Sequence, residues 1–176
     1  MDLARVLRHL LFPGVLVRRA FPAAALSRIE AAIAASESRH RGQIRYAVEG
    51  ALDLRPLIAG QTARERAIEV FSALHVWDTE ENNGVLIYLL LADRDVEIVA
   101  DRAIARHVGP AGWEAICRRM EEEFRAGRFT QGVVEGSRRW AITSRYTTPQ
   151  RRSGATSCRM RRSSYETHPL KKLVIA

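Results

Sequence analysis

Oxygen-bearing side chains crowd one short stretch of this 176-residue chain: Asp78, Glu80 and Asn82 stand at alternate positions, Asn83-Gly84 follows, and Asp101-Arg102 comes after two apolar runs. Hard cations such as Ca²⁺ and Mg²⁺ need several such oxygens converging, at about 2.3–2.6 Å for calcium. The spacing imitates the opening of a calcium loop. A helix–loop–helix site beginning at Asp78 would require a bidentate glutamate at position 89, and Leu89 stands there instead. What remains is a tertiary site in which Asp78, Glu80, Asn82 and Asn83 meet Asp101 across a fold. The same residues have a plainer reading. Asn82-Asn83-Gly84 is then a turn that tolerates left-handed backbone, the acids are solvated, and Asp101 caps the next helix.

The flanking elements must bring these residues together. Val85 to Leu91 is unbroken and apolar, the pattern of a strand buried on both faces. Ala92 to Asp95 is short and polar, so Val96 to Ala100 should return antiparallel beside it. That hairpin places Asn83 and Gly84 next to Asp101. Upstream, Ile44, Tyr46 and Val48 alternate with polar residues in a strand over 43–48, and a loop holding Asp53 and Pro56 leads to Gly60. Thr62-Ala63-Arg64-Glu65 is a capping box opening a helix that buries Ala67, Val70, Phe71 and Leu74. Strand, helix, strand makes the first and second strands parallel with a right-handed crossover. The fold class is therefore α/β: a small central mixed sheet, a parallel βαβ pair plus an antiparallel hairpin, flanked by helices in a three-layer-like arrangement.

Further helices are expected over 3–11, from about Pro22 to Ser38, near Pro110 with a stripe of Trp113, Ile116, Cys117, Met120 and Phe124, and around Val133 and Val134. The last is expected to stop at Gly136, since Ser137-Arg138-Arg139-Trp140 continues no apolar face. Composition changes there as well. Residues 1–136 hold 18 arginines against 19 carboxylates, whereas 137–176 hold ten basic residues against one acid. The net charge of +8 thus belongs to the last forty residues. The domain division is 1–20, an N-terminal helical extension; 21–136, the globular domain; and 137–176, a basic disordered tail whose abrupt onset is what a shifted reading frame would produce. As a functional element such a tail would bind nucleic acid or an anionic membrane, although nucleic acid is the less favoured partner.

Several classes drop out. No G-x-S-x-G turn, P-loop, dinucleotide glycine fingerprint or C-x-x-C pair is present. His40, His75 and His107 lack ligand spacing, and Cys117 lies on a helical stripe as a core thiol. Arg5 and Arg8 precede an apolar run, Leu10 to Val17, that Pro13-Gly14 interrupts, so neither a leader nor a membrane span is expected. Two cysteines suit a reducing, cytoplasmic setting.

The Asn82-Asn83-Gly84-Val85-Leu86-Ile87 lead-in, the Asp93-Arg94-Asp95-Val96-Glu97-Ile98 hairpin and the helices around Trp113 and Phe129 together resemble the TPM domain over about Leu26 to Gly136. That family includes plant thylakoid-lumen proteins linked to photosystem repair and many bacterial proteins. The resemblance implies a small sheet flanked by helices, divalent-metal binding (Ca²⁺ or Mg²⁺) and weak acid-phosphatase activity, for which an ion-activated water would attack the ester while the carboxylates hold the ion and Arg102 stabilises phosphoryl charge. Many relatives have a glycine-rich segment after the hairpin, where this chain reads Asp101-Arg102-Ala103-Ile104. A non-catalytic module that binds an ion or a protein partner is the alternative.

Overall fold

The computed structural model describes residues 2–37, 43–80, 82–145 and 172–175. Helices α1 (Leu3–Leu10), α2 (Val15–Ala20) and α3 (Ala23–Glu37) lead to strand β1 (Gln43–Glu49). Helices α4 (Leu54–Ile58) and α5 (Ala63–Ala73) cross to β2 (Gly84–Leu90), and β3 (Asp95–Ala100) returns beside it. Helices α6 (Arg102–Arg125) and α7 (Phe129–Arg145) follow, and Lys172–Ile175 forms β4.

β1 and β2 are parallel, in register from Gln43 opposite Gly84 to Glu49 opposite Leu90. β2 and β3 are antiparallel, from Val85 opposite Ala100 to Leu90 opposite Asp95. β4 pairs antiparallel with the other edge of β1, giving the order β3-β2-β1-β4. Every residue of β2 is buried, as its unbroken apolar run requires. Side chains alternate across a strand, so β2 serves two cores. Val85, Ile87 and Leu89 pack with Ile29 and Ile33 of α3, Ile116, Met120 and Phe124 of α6, and Val133 of α7. Leu86, Tyr88 and Leu90 pack with Leu57 of α4 and Ala63, Ala67 and Val70 of α5. The layers are helix, sheet, helix. The capping box forms in full: Thr62 Oγ1 accepts from the Glu65 N–H, and the Glu65 carboxylate accepts from the Thr62 N–H.

Three elements differ from the sequence expectation. The loop over 50–60 contains α4. The helix expected near Pro110 is the second half of α6, which bends at Gly109, where φ is 71°. The last helix does not stop at Gly136 but runs to Arg145. Gly132 and Gly136 lie one turn apart, and a Cβ at Gly136 would press on the Met120 sulfur 2.5 Å away, while one at Gly132 would strike the Phe124 ring. The two glycines thus let α7 approach α6 closely, and the glycine that reads as a stop is a contact point. Beyond it Ser137 is fully buried, its Oγ 2.8 Å from the Tyr46 hydroxyl and donating to the Val133 carbonyl. Of the tail expected to be disordered, residues 146–171 and 176 lie outside the described residues.

The N-terminal extension is fastened to the domain. Val17 and Phe21 belong to the first core, and Gly50, at the end of β1, leaves room for Phe12 and Val17. The other attachment is polar. His9 is buried, its Nδ1 accepting from the Leu52 N–H at 3.0 Å, so its proton sits on Nε2, 2.9 Å from the Asp93 carboxylate. Arg5 and Arg8 bind the same carboxylate at 2.9 and 2.6 Å. Burial by itself would raise the pKa of Asp93, but hydrogen bonds from Arg5, His9 and Arg8 outweigh it and hold the carboxyl below its ordinary range. A depressed folded pKa means stability that is complete above the unfolded value of about 4 and is lost as pH falls through the folded one. Asp93→Asn is therefore expected to lose about 1–3 kcal/mol at neutral pH, and its urea midpoint should change less than that of the wild type as pH falls below about 4. Equal acid sensitivity in both chains would refute this role.

Candidate functional site

The hairpin delivers what the sequence asks of it. The Asp101 N–H donates to the Gly84 carbonyl at 2.9 Å, so Asp101 sits beside Asn83-Gly84 at one end of the sheet, and Gln43 of β1 joins them through its N–H to the Asn83 carbonyl at 3.3 Å. Local chemistry accounts for much of this corner. Asn82 adopts φ 50°, a left-handed angle that asparagine tolerates better than most residues. Asn83 is buried, and its N–H donates to Thr79 Oγ1 at 3.0 Å. A Cβ on Gly84 would overlap the Val76 carbonyl oxygen, so the position admits only glycine without a backbone shift.

Asp101 caps α6, one carboxylate oxygen accepting from the Arg102 N–H at 2.6 Å. Its other oxygen, Oδ2, is shielded from solvent and has no hydrogen-bond partner among the described residues. A shielded carboxylate oxygen without a partner is rare, because its desolvation is uncompensated. Arg102 stands exposed on the first turn of α6. Asp78 and Glu80 are exposed on the loop after α5, and Asn82 is exposed on the turn. The structure thus brings Asn83 next to Asp101 and leaves Asp78 and Glu80 in solvent. Glu81 lies outside the described residues, as does His40. Among the described residues no three His, Cys, Asp or Glu side chains converge as a metal group. His75, with φ 50°, sits against Trp77 with ring centres 6.0 Å apart. Burial pushes the Cys117 thiol up to about 11, so it stays protonated and inert.

The strongest polar constellation is one that residue spacing does not announce. Glu49, at the end of β1, is buried and takes Arg66 of α5 in a two-pronged pair, Nε at 3.0 Å and Nη2 at 2.8 Å. The Tyr88 hydroxyl of β2 donates to Glu49 Oε2 at 2.8 Å. Burial and the neighbouring carboxylate push the Tyr88 phenol well up, so it remains a donor. The signal for it in the sequence is slight: Glu49 closes a strand whose preceding residues, Tyr46-Ala47-Val48, are apolar. Separately, a cavity of about 480 Å³ opens between Phe12, Leu16, Leu89, Phe124 and Phe129. It lies at the end of β2 opposite to Asp101, so none of the predicted site residues lines it.

The family pattern of the TPM domain matches residues 18–141, which takes in the N-terminal half-turns around Phe21 and the continuation of α7 past Gly136. The chain is also similar to the BA42 protein of the psychrophilic bacterium Bizionia argentinensis, known from an NMR structure: identity is 28%, coverage is 70% of this chain and 80% of that one, and the TM-score is 0.63. The N-terminal domain of a P. gingivalis protein, also solved in solution, shares the fold at 18% identity and a TM-score of 0.55, over 75% of this chain and 87% of that one. No functionally curated protein shows significant similarity to the chain. With its sheet order, its Asn-Asn-Gly lead-in to the central strand and a match over most of its length, the chain belongs to the TPM-domain family.

Proposed function

We propose that the corner formed by Asn83, Gly84 and Asp101 is a divalent-cation site, and that this domain is a weak ion-binding module. The observation that carries the reading is Asp101 Oδ2, a carboxylate oxygen held out of water with no hydrogen-bond partner among the described residues. A cation would compensate that oxygen, and the neighbouring Asn83 side chain offers a second oxygen ligand of the right hardness. Water and the exposed side chains of Asp78, Glu80 and Asn82, two carboxylates and an amide, would complete the shell. One shielded carboxylate is little charge for a divalent ion, so affinity should fall at the weak end, about 10⁻⁴–10⁻³ M.

Calcium, magnesium and manganese titrated calorimetrically into the full chain should give saturable heat with at least one of them. Asp101→Asn should weaken it about tenfold or more, because the loss of one anionic ligand of this kind costs of order 1–3 kcal/mol. Asparagine is an equally good N-cap, so this variant keeps α6 intact. Identical titrations of the two chains would remove the site.

A second reading adds chemistry. Arg102, exposed on the first turn of α6 beside Asp101, would bind the phosphoryl group of an ester, with the α6 N-terminus adding its partial positive charge. A cation bound there would polarise both water and phosphate oxygens. Turnover of a chromogenic phosphate ester that depends on added cation, and that falls in Arg102→Ala, supports this reading; turnover that survives chelation rejects it.

A further inference from the structure

Helix α1 is amphipathic, yet it is mounted inside out. On a helix of 3.6 residues per turn, Leu3, Leu7, Leu10 and the following Leu11 share one side, while Arg5 and His9 fall on the opposite one. In a surface helix the apolar stripe normally faces the core. Here the polar side faces it: His9 is fully buried against Asp93 and the Leu52 N–H, and Arg5 reaches both Asp93 and the Gln61 carbonyl. The leucines point outward, with 73% of Leu3, 54% of Leu7, 62% of Leu10 and 67% of Leu11 exposed. Val15 on the first turn of α2 extends the display at 64%. The anchor is specific, and it fixes the helix in an orientation that the hydrophobic effect alone would oppose.

The charges around this face select its occupant. Arg18 and Arg19 of α2 are exposed, as is Arg94, next in the chain to the anchoring Asp93. None of the three forms an ion pair with a described residue. The first 21 residues carry one acid, Asp2, and its carboxylate is engaged by the N–H groups of Ala4 and Arg5. A two-fold contact with a second copy would set the same arginines against one another, since such a contact pairs a patch with itself. An anionic lipid surface meets both requirements at once: headgroups take the guanidinium groups and the acyl boundary takes the leucines. We infer that α1 and the start of α2 form a membrane-surface docking face, on which Leu3, Leu7, Leu10 and Leu11 enter the headgroup–acyl boundary of an anionic bilayer while Arg18, Arg19 and Arg94 engage its headgroups.

The full chain should sediment with vesicles of phosphatidylcholine containing phosphatidylglycerol, and much less with phosphatidylcholine alone. Leu7→Glu with Leu11→Glu should abolish binding, and Arg18→Glu with Arg19→Glu should weaken it about tenfold or more. The substituted side chains are exposed, so both variants should melt like the wild type. Should the glutamate pair lower the melting temperature, Leu3→Ser with Leu10→Ser replaces it, with the same loss of binding expected. Three results would overturn the inference: no vesicle binding; binding that ignores the leucine substitutions, which would assign it to the basic C-terminal residues; or a dimer that those substitutions render monomeric, which would assign the face to a second copy.

Discussion

Gly84→Ala is expected to destabilise the domain by about 3 kcal/mol, near the top of the range for overpacking a buried site. The added methyl would occupy the place of the Val76 carbonyl oxygen, and both neighbours are constrained. Gly84 is the first residue of the central strand, paired with Gln43 on one side and accepting from the Asp101 N–H on the other. Val76 is itself buried, its N–H bonded to the Phe71 carbonyl. Neither backbone can retreat without breaking a ladder or unwinding the end of α5. Urea unfolding of wild type and variant measures the loss. A variant as stable as the wild type but deficient in cation binding would instead assign the Asn-Asn-Gly segment to the ion site alone. The expected result makes it first an architectural device, one that also holds Asp101 in place.

The second large effect lies across the sheet. Arg66→Met should cost about 3 kcal/mol, because it removes the two-pronged cationic partner of a buried carboxylate and leaves the charge on Glu49 far less compensated, although the Tyr88 hydroxyl still donates to it. Losing one member of a buried pair is worse than losing both, since well-packed apolar residues can replace a complete pair at little net cost. Glu49→Leu, Arg66→Met and Tyr88→Phe combined should therefore recover much of the stability lost by Arg66→Met alone. Chemical denaturation of the three single variants and the combination would show this as strong non-additivity. Simple additivity would mean that the three groups act independently. Glu69, which also binds Arg66, is exposed and contributes little by comparison.

These two expectations assign different jobs to the two ends of the sheet. Where β1 ends and β2 nears its end, Glu49, Arg66 and Tyr88 close the second core with a satisfied polar network. Where β2 begins and β3 ends, Asp101 retains an oxygen without a partner among the described residues. Of the two polar sites only the latter has unused coordinating capacity, which is why cation binding is proposed there and not at the better-ordered cluster.

What could be read from residues alone was local or periodic. The unbroken run of β2, the alternation in β1, the four-residue turn of the hairpin and the Thr62–Glu65 capping box each encode their structure within a few positions. From them followed the parallel pair, the hairpin and the approach of Asp101 to Asn83. Tertiary packing decided the rest. The last helix reads as ending at Gly136 because Ser137-Arg138-Arg139-Trp140 continues no apolar face, and only the closeness of Met120 to Gly136 and the buried hydrogen bonds of Ser137 show why it runs on. Helix α1 has the periodicity of any amphipathic helix, and periodicity reports that two faces differ, not which one turns inward. Asp93, some eighty positions away in sequence, makes that choice by offering Arg5, Arg8 and His9 a carboxylate they cannot find in one another.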